Sequence, residues 1–456
     1  MLIPSSDDLW FLPLGGTGEI GMNLNLYGHD GKWLMIDCGI SFDEPLVPSY
    51  RNGGENVKAL HSVVAPDPTF IADQKEHLVG IVITHAHEDH IGALPYLWER
   101  FKCPVYTTPF TAEVLRRKLS RSKNANKVPI VEVQGGSIQT LGPFTLQWLE
   151  ITHSIPEPYA IRIDTPVGSV LHTADWKIDA QPVTGKPFDH SAFRRLASED
   201  ILALIGDSTN ANKPGFSLSE RNCFDGLLNT IKPINGRVVV TCFASNVARL
   251  ISLAKVAQKT GRYLGLFGRS LLNMYAIAKY RNLWPDDLTI VEPGHLGYLP
   301  PEEVMMVVTG SQGEPRAALA RMAADTHHQV ELTKGDVVIY SSIVIPGNET
   351  AVNKVNRALA AKGVSVLHSE QSPLPIHASG HPCEEELKLM YQWVQPEIAI
   401  PVHGEKAHLT AHAEIAKACG VKKHYVGQNG DLYRLAPQPS IRRQQVSTGR
   451  IPIQQN

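Results

Sequence analysis

One short segment of the sequence carries four side chains that can bind metal. His85, His87, Asp89 and His90 follow the apolar run LVGIVI and fall within six residues. Two histidines at i and i+2 project to the same side of an extended segment, and the other two residues follow in the turn before a helical pattern. Imidazole and carboxylate groups are ligands for zinc or manganese. The split into two pairs therefore predicts two adjacent divalent ions, with four polar side chains in a solvated loop as the alternative.

Three further donors lie downstream, each at the end of a strand-like run. They are His153 in EITHSIPEP, Asp175 in HTADWK and His403 in PVHGE. Each residue taken singly is more often structural than a ligand. Together with the first segment they supply five imidazoles and two carboxylates, enough for a dinuclear site. Asp175 is then the natural bridge between the two ions, and so a catalytic residue as well as a ligand.

These motifs resemble a known family. The H-x-H-x-D-H segment, followed later by a His, an Asp and a His, resembles the metal-binding motifs of proteins with the metallo-β-lactamase fold. The gap from His153 to Asp175 is 175 − 153 = 22 residues, but the gap from Asp175 to His403 is 403 − 175 = 228 residues, room for an inserted domain. This arrangement resembles the β-CASP branch, and within it ribonuclease J, whose segments LGGTGEIGMN, THAHEDHIGALPYL, GDSTNA, TGSQGEP, HASGH and PVHGE occur here in order.

The fold class follows from the strand and helix patterns together with this resemblance. Alternation of strand-like and helical runs between about 212 and 370 predicts a parallel, doubly wound sheet. We expect an α/β protein in which a metallo-β-lactamase αββα sandwich carries an inserted doubly wound α/β β-CASP domain. The expected division is 1–210 for the first part of the metallo-β-lactamase domain, 211–369 for the β-CASP domain, 370–436 for the second part, and 437–456 for a C-terminal extension with little structure of its own.

The resemblance also implies roles outside the metal ligands. Asp207 in GDSTNA matches the family's acidic motif and His381 in HASGH its catalytic histidine, so that Asp207 orients the ring and His381 gives a proton to the leaving oxygen. The alternative is that HASGH is a turn in which Ser379 caps the next helix. Ser245 of FASN, with His377 and Ser379, matches a pocket for the phosphate of a terminal nucleotide.

The implied function is a metal-dependent ribonuclease that hydrolyses phosphodiester bonds of single-stranded RNA. We expect a 5′-to-3′ exonuclease that prefers 5′-monophosphate ends, with endonuclease activity left open, and zinc as the ions with manganese as the alternative. A DNA-acting β-CASP nuclease and a small-molecule metallohydrolase are the rival interpretations. A non-catalytic RNA-binding scaffold is disfavoured because the ligand set and the Asp207/His381 pair are intact.

Two segments leave alternatives open. The stretch LRRKLSRSKNANK has six basic residues and no acid, and it is either a grip on the RNA backbone or a solvated surface. TGSQGEP, between a strand and a helical run, is either a structural turn or a set of backbone N–H groups for a phosphate.

Composition sets the remaining expectations. With 43 Lys+Arg against 45 Asp+Glu the formal net charge is −2, so any nucleic-acid contact must be local. We expect a cytoplasmic protein, because the six cysteines are scattered and the N-terminus lacks a signal-peptide pattern. We expect no membrane association, because no apolar run is long enough to span a bilayer. Ribonuclease J proteins carry a further C-terminal domain that contributes to their dimers, whereas 20 residues follow Ala436 here. A homodimer and other RNA-decay partners are left open.

Overall fold

The computed structural model of the protein describes residues 2–42, 63–345 and 347–453. Numbered along the chain, its strands are β1 (Leu9–Gly15), β2 (Thr17–Gly18), β3 (Leu24–His29), β4 (Lys32–Ile36), β5 (Ser41–Phe42), β6 (Val63–Pro66), β7 (Leu78–Val82), β8 (Val105–Thr107), β9 (Ile130–Glu132), β10 (Ile138–Leu141), β11 (Phe144–Glu150), β12 (Tyr159–Thr165), β13 (Gly168–His172), β14 (Ile201–Asp207), β15 (Val238–Thr241), β16 (Tyr263–Phe267), β17 (Val304–Val308), β18 (Val337–Tyr340), β19 (Ser365–His368), β20 (Ile398–Val402), β21 (Gly404–Glu405), β22 (Lys423–His424), β23 (Leu432–Ala436), β24 (Ser440–Arg442) and β25 (Arg450–Ile453). The α-helices are α1 (Thr69–Ala72), α2 (Glu88–Ile91), α3 (Leu94–Phe101), α4 (Pro109–Leu119), α5 (His190–Arg195), α6 (Glu220–Ile231), α7 (Val247–Lys259), α8 (Arg269–Tyr280), α9 (Pro293–Leu296), α10 (Ala318–Ala323), α11 (Glu349–Ala361), α12 (Glu384–Val394) and α13 (Lys406–Ala418).

The two largest sheets pack face to face. One has the strand order β24-β23-β1-β3-β4-β7-β8-β9 and the other β10-β11-β12-β13-β14-β20-β22. Because side chains alternate along a strand, Leu34 and Ile36 of β4 point into the layer between the sheets, where Ile205 of β14 also lies. Trp33 and Met35 of the same strand belong to the apolar cluster on the opposite face. Both faces of the sheet are therefore buried, which requires a further layer outside it.

Helices supply that outer layer on both sides. Leu94 and Trp98 of α3 join the cluster outside the first sheet. Leu387 of α12 and Ile415 of α13 join the cluster outside the second. The layers follow the order helix, sheet, sheet, helix, and the predicted αββα sandwich is confirmed.

The segment between the two parts of the sandwich builds a separate five-stranded sheet. Its order is β16-β17-β15-β18-β19, and every neighbouring pair is parallel. The chain starts in the central strand and winds first to one side and then to the other. Val238 and Val240 face the helical layer of α6 and α7, whereas Val239 faces the layer of α10 and α11. The predicted doubly wound sheet is confirmed and lies within 211–369, although the domain boundaries themselves remain a prediction.

The register of two neighbouring strands positions much of the candidate site. β14 and β20 pair in parallel, with Asp207 opposite Val402. The carboxyl ends of the two strands therefore lie side by side, which places Asp207 next to His403 across the whole insertion. Since neighbouring β13 is also parallel to β14 and ends at His172, Asp175 follows at the same edge of the sheet.

The expectation of little structure in the C-terminal extension is wrong. β24 extends the first sheet by pairing with β23, and β25 pairs with β6. The alternating apolar residues Ile451 and Ile453 pack against the cluster outside the first sheet, which is why this polar, proline-containing tail is ordered. Residues 454–456 lie outside the described ranges. Within those ranges no helix combines the length and apolar character needed to cross a bilayer.

Candidate metal centre

The H-x-H-x-D-H segment is held in place by one buried carboxylate. It follows the buried strand β7 and runs into the short helix α2. The Thr84 backbone N–H donates to Asp37 Oδ1 over 2.8 Å, and the Thr84 hydroxyl donates to Asp37 Oδ2 over 2.9 Å. Asp37 directly follows β4 and is fully buried, so it fixes the loop from which the first two histidines project.

The first donor group consists of His85, His87, His153 and Asp175. His87 Nδ1 lies 3.1 Å from His85 Nε2 and 3.0 Å from His153 Nε2. Asp175 Oδ2 lies 3.7 Å from Nε2 of both His85 and His153. Four ligands about 2.1 Å from a tetrahedral ion are separated by about 3.4 Å, and these four atoms therefore have the spacing of a tetrahedral site.

The second donor group consists of Asp89, His90, His403 and the same Asp175. Asp89 Oδ2 is 3.4 Å from His90 Nε2 and 3.6 Å from His403 Nε2. Asp175 Oδ2 is 3.2 Å from His90 Nε2 and 3.5 Å from His403 Nε2. One oxygen of Asp175 thus faces both groups, the arrangement of a bridging carboxylate.

The histidines are oriented by contacts on their second ring nitrogen. His90 Nδ1 donates to Asp37 Oδ2 over 2.7 Å, and His403 Nδ1 donates to Asn23 Oδ1 over 3.1 Å. The Nδ1 of His85 donates to the Thr84 hydroxyl over 3.0 Å, which in turn donates to Asp37. These bonds leave the Nε2 lone pairs directed into the cluster, as metal-binding imidazoles require.

His153 is oriented from a different part of the chain. Its Nδ1 donates over 2.6 Å to the carbonyl oxygen of Gly380, in the segment that returns after the five-stranded sheet. A Cβ on Gly380 would lie 2.5 Å from His153 Cε1, so no larger residue fits there without displacing the ring.

Within the first donor group the electrostatics favour the forms that bind a cation. Burial lowers the pKa of His85 and His153 well below the usual value and lowers the pKa of His87 to about 4. Burial alone would raise the pKa of Asp175, but His403 and His90 outweigh it and hold that pKa well below its ordinary value. The first donor group therefore contains three neutral imidazoles and an ionised carboxylate at neutral pH, which fits a divalent cation. In the second group, burial lowers the pKa of His90, but the carboxylates of Asp175, Asp89 and Asp37 outweigh it and raise that pKa well above its ordinary value.

His381 and Asp207 form a pair at the edge of this cluster. His381 Nδ1 donates to Asp207 Oδ2 over 2.8 Å and lies 3.8 Å from Asp175 Oδ2. Burial lowers the pKa of His381, but the carboxylates of Asp207 and Asp175 outweigh it and raise that pKa to about 9. Asp207 itself is held by accepting from the Thr209 backbone N–H over 2.9 Å. His381 is thus an oriented proton carrier beside the donor groups.

The predicted phosphate-binding residues are only partly brought together. The Ser379 hydroxyl accepts from Asn210 Nδ2 over 2.7 Å, and it does not cap α12, whose N-cap is Cys383. His377 is half-buried, and its Nδ1 is buried with no hydrogen-bond partner among the described residues. Ser245 lies in the bend just before α7. No hydrogen bond within the described ranges joins Ser245 to the other two, and this pocket stays a prediction.

Five of the six bases in this segment form ion pairs with acids outside it. Its ion pairs join Arg116 to Glu132, Arg117 to Glu113, Lys118 to Glu88, and both Lys123 and Lys127 to Glu99. Arg121 is the member with no ion-pair partner in the part of the chain that is described. This pairing favours the solvated-surface interpretation over the RNA grip.

The TGSQGEP segment is a structural turn. The Gln312 backbone N–H donates to Glu314 Oε2 over 3.0 Å, and the Gln312 side chain donates to the Ile343 carbonyl oxygen over 2.9 Å. The Ala318 N–H at the start of α10 donates to the Thr309 hydroxyl over 3.1 Å. These donors are already satisfied within the protein, which favours the structural alternative.

Asn23 and Asp37 are functional residues that the sequence analysis missed. Asn23 lies within the quoted motif LGGTGEIGMN, but nothing in its spacing assigned it a role. Besides contacting His403, its amide donates over 3.0 Å to the Asp89 carbonyl oxygen. The one available signal was position, because both residues lie at the ends of strands β3 and β4 on the edge where the metal ligands gather.

The fold and the donor set define a hydrolase of the metallo-β-lactamase superfamily. The family profile for the metallo-beta-lactamase superfamily matches residues 21–198, that for "Ribonuclease J, beta-CASP domain" matches 235–359, and that for "Zn-dependent metallo-hydrolase RNA specificity domain" matches 375–426. Ribonuclease J of Sinorhizobium meliloti is 42% identical over 449 residues, which cover 98% of this chain and 77% of that protein. The chain therefore belongs to the ribonuclease J family.

Other similar proteins agree with this assignment. Ribonuclease J 1 of Streptococcus pyogenes is 38% identical over 92% of this chain and 73% of its own length, and ribonuclease J of Mycolicibacterium smegmatis is 38% identical over 90% and 71%. A crystal structure of a protein of unknown function from Enterococcus faecalis superposes with a TM-score of 0.64 at 14% identity, covering 94% of this chain and 100% of that one. This last likeness shows the fold alone.

Proposed function

We propose that the protein is a two-metal ribonuclease that hydrolyses single-stranded RNA from its 5′ end. The observation that carries the proposal is the shared Asp175 oxygen, which faces both donor groups, with the His381–Asp207 pair 3.8 Å away. A dinuclear cluster with an adjacent, oriented acid matches the needs of phosphodiester hydrolysis, which are an activated water and a proton for the leaving oxygen.

The residues present fit two divalent ions, one held by each donor group. When bound, such ions polarise the phosphodiester and lower the pKa of water. The mixture of imidazole and carboxylate suits zinc, which we propose as the native metal, and suits manganese as the alternative. Metal content of the purified protein distinguishes the two.

The chain's own residues then supply orientation and the proton. Asp207 holds the His381 ring by its Nδ1, which leaves Nε2 for the departing oxygen of the cleaved strand. With its pKa raised to about 9 by Asp207 and Asp175, against the opposing effect of burial, His381 carries its proton at neutral pH.

RNA as the substrate is supported by the relatives and by the match of 375–426 to an RNA specificity domain. That segment contains His377, Ser379 and His381. A terminal phosphate held by Ser245, His377 and Ser379 would set the 5′ end at a fixed distance from the metals, which supports exonuclease action on 5′-monophosphorylated RNA. Internal cleavage remains an open second activity.

The test is a time course on end-labelled, 5′-monophosphorylated single-stranded RNA with metal supplied. Wild type should release mononucleotides, and Asp89→Ala should not. Glu88→Ala is the matched control, because Glu88 is an acid in the same motif that contacts Lys118 and belongs to neither donor group. Discrete internal fragments would contradict exonuclease action and show that the protein is an endonuclease. Cleavage of matched DNA but not RNA would contradict the substrate assignment.

The preference for a 5′-phosphate is tested separately. RNA with a 5′-hydroxyl should be cleaved more slowly than the same RNA with a 5′-monophosphate, and Ser379→Ala should reduce that difference. Equal rates on both substrates would contradict the phosphate pocket and leave the metal centre unaffected.

The cellular setting is part of the same proposal. All six cysteines are free, which supports a reducing, cytoplasmic location. A homodimer stays a prediction that light scattering of the purified protein would test.

A further inference from the structure

A cavity of about 620 Å³ lies apart from the metal centre. It is bounded by α6, α7 and the loop 181–183 of the sandwich, and its lining contains none of the metal donors and neither His381 nor Asp207. Small-molecule sites have volumes of roughly 300–1,000 Å³. This cavity is therefore large enough for a ligand of its own.

Charge gives the cavity a preference for anions. Lys255 and Lys259 lie one turn apart on α7, so both face the cavity from the same side of the helix. Neither makes an ion pair within the described ranges. On α6, Arg221 Nε lies 3.9 Å from Asp225 Oδ2, an exposed pair that stabilises little. Three cations therefore face one acid.

The remaining lining argues for more than a bare phosphate. Val183, Phe224 and Leu228 give the cavity an apolar wall. Ser252 also lies at the cavity, but its side chain is fully buried, so the preference of the cavity rests on its charged and apolar side chains. A phosphate alone would leave the apolar wall and Asp225 without a contact.

We infer that this cavity binds a free nucleoside monophosphate. Lys255 and Lys259 hold the phosphate, the apolar wall receives the base, and Asp225 accepts from ribose hydroxyls, as carboxylates do in nucleotide sites. The volume of the cavity suits one nucleotide rather than a strand, so the ligand is a free nucleotide and not part of the RNA path.

Isothermal titration with 5′-AMP tests this inference on the wild type, Lys255→Glu/Lys259→Glu and the control Lys232→Glu. Lys232 is an exposed lysine at the end of α6 outside the cavity. The double variant should bind about a hundredfold more weakly, or about tenfold for each lysine that no longer holds the phosphate. The control should bind like wild type, and inorganic phosphate should bind wild type more weakly than AMP does.

A second variant keeps the inference testable if the Lys255→Glu/Lys259→Glu protein does not fold. Leu228→Trp fills the apolar wall without changing charge and should also weaken AMP binding. Binding that survives both variants, or that disappears in Asp175→Ala instead, would overturn the inference because the nucleotide would then occupy the metal centre. Equal affinities for phosphate and AMP would overturn the assignment of a nucleoside.

Competition with RNA tests whether the ligand is free. In the His381→Ala protein, an excess of single-stranded RNA should leave AMP bound. Displacement of AMP would overturn the free-nucleotide assignment and make the cavity part of the RNA path. The readout is binding, so its failure is distinguishable from a failure to cleave RNA.

Discussion

The two donor groups share Asp175 but are supported by different parts of the chain. In the second group, His90 and His403 are oriented by Asp37 and Asn23, both on the N-terminal sheet. In the first group, His153 is oriented by the Gly380 carbonyl, which belongs to the segment returning from the inserted domain. The second group is therefore oriented from the first sheet of the sandwich, whereas the first also depends on the loop around Gly380.

This difference links the first donor group to His381. The segment that supports His153 also carries Ser379 and His381 one residue to either side of Gly380. A shift of this segment would disturb the first donor group and the His381–Asp207 pair together, while leaving the second group intact. The same loop also contacts the inserted domain, because the Ile376 carbonyl oxygen accepts from the Ser341 hydroxyl over 2.6 Å.

The largest effect is expected from removing the residue that both groups share. Asp175→Ala deletes the oxygen common to the two sites, so both ions and all cleavage should be lost. Metal content by mass spectrometry and the RNA time course measure this. Asp164→Asn, a half-exposed acid on β12 paired with Arg162, is the control and should keep both ions. A protein that kept one tightly bound ion would show that Asp175 does not bridge.

The next effect concerns the acid outside both donor groups. His381→Ala should lower kcat by about 10²- to 10⁴-fold, the usual contribution of a general acid, with both ions retained. Asp207→Asn should act in the same direction because it removes the partner of His381 Nδ1. His77→Ala, a partly exposed histidine of the sandwich, should leave the rate unchanged. Loss of an ion from His381→Ala would mean that this residue is a ligand.

The two groups can be separated by a pair of variants. Asn23→Ala removes the support of His403 and should weaken the second site, whereas Gly380→Ala displaces His153 and should weaken the first. Removing such supporting hydrogen bonds costs about 10- to 100-fold in metal affinity. Metal titration of each protein should show one weakened and one unchanged site.

Gly294→Ala is the control for this pair, since a Cβ there meets no atom within 4 Å. Of these variants, only Gly380→Ala should lower kcat even when both metal sites are saturated, because it also moves the loop that carries His381. Equal weakening of both sites by either variant would contradict the independence of the two supports.

Local motifs made much of this site predictable from the sequence. The H-x-H-x-D-H segment indicates metal binding by itself, because it places four potential ligands within six residues. His153, Asp175 and His403 were each expected at the end of a strand-like run. The parallel pairing of β13, β14 and β20 explains how such strand ends come together at one edge of a sheet. The doubly wound sheet was also predicted correctly, because the alternation of strand-like and helical runs is a local sequence pattern.

The contacts that orient the ligands were not predictable in this way. Asn23 and Asp37 act through a tertiary arrangement that carries no spacing rule, and Gly380 acts through its carbonyl oxygen, which has no sequence signal at all. The tail was misjudged because its polar composition hid the apolar alternation of Ile451 and Ile453. Acids outside the segment, which its own sequence does not show, explain why most of its bases form ion pairs in the fold.

The smallest effect is expected outside both donor groups, on the basic segment. Lys123→Gln/Lys127→Gln removes two exposed lysines paired with Glu99. If they gripped single-stranded RNA, the slope of log affinity against log salt would fall by about 1.4, or about 0.7 for each phosphate contact. Because both lysines already share the acid Glu99 as an ion-pair partner, we expect the slope to stay unchanged. A fall of that size would contradict the solvated-surface interpretation and would mean that RNA also contacts the turn that follows α4, outside both donor groups.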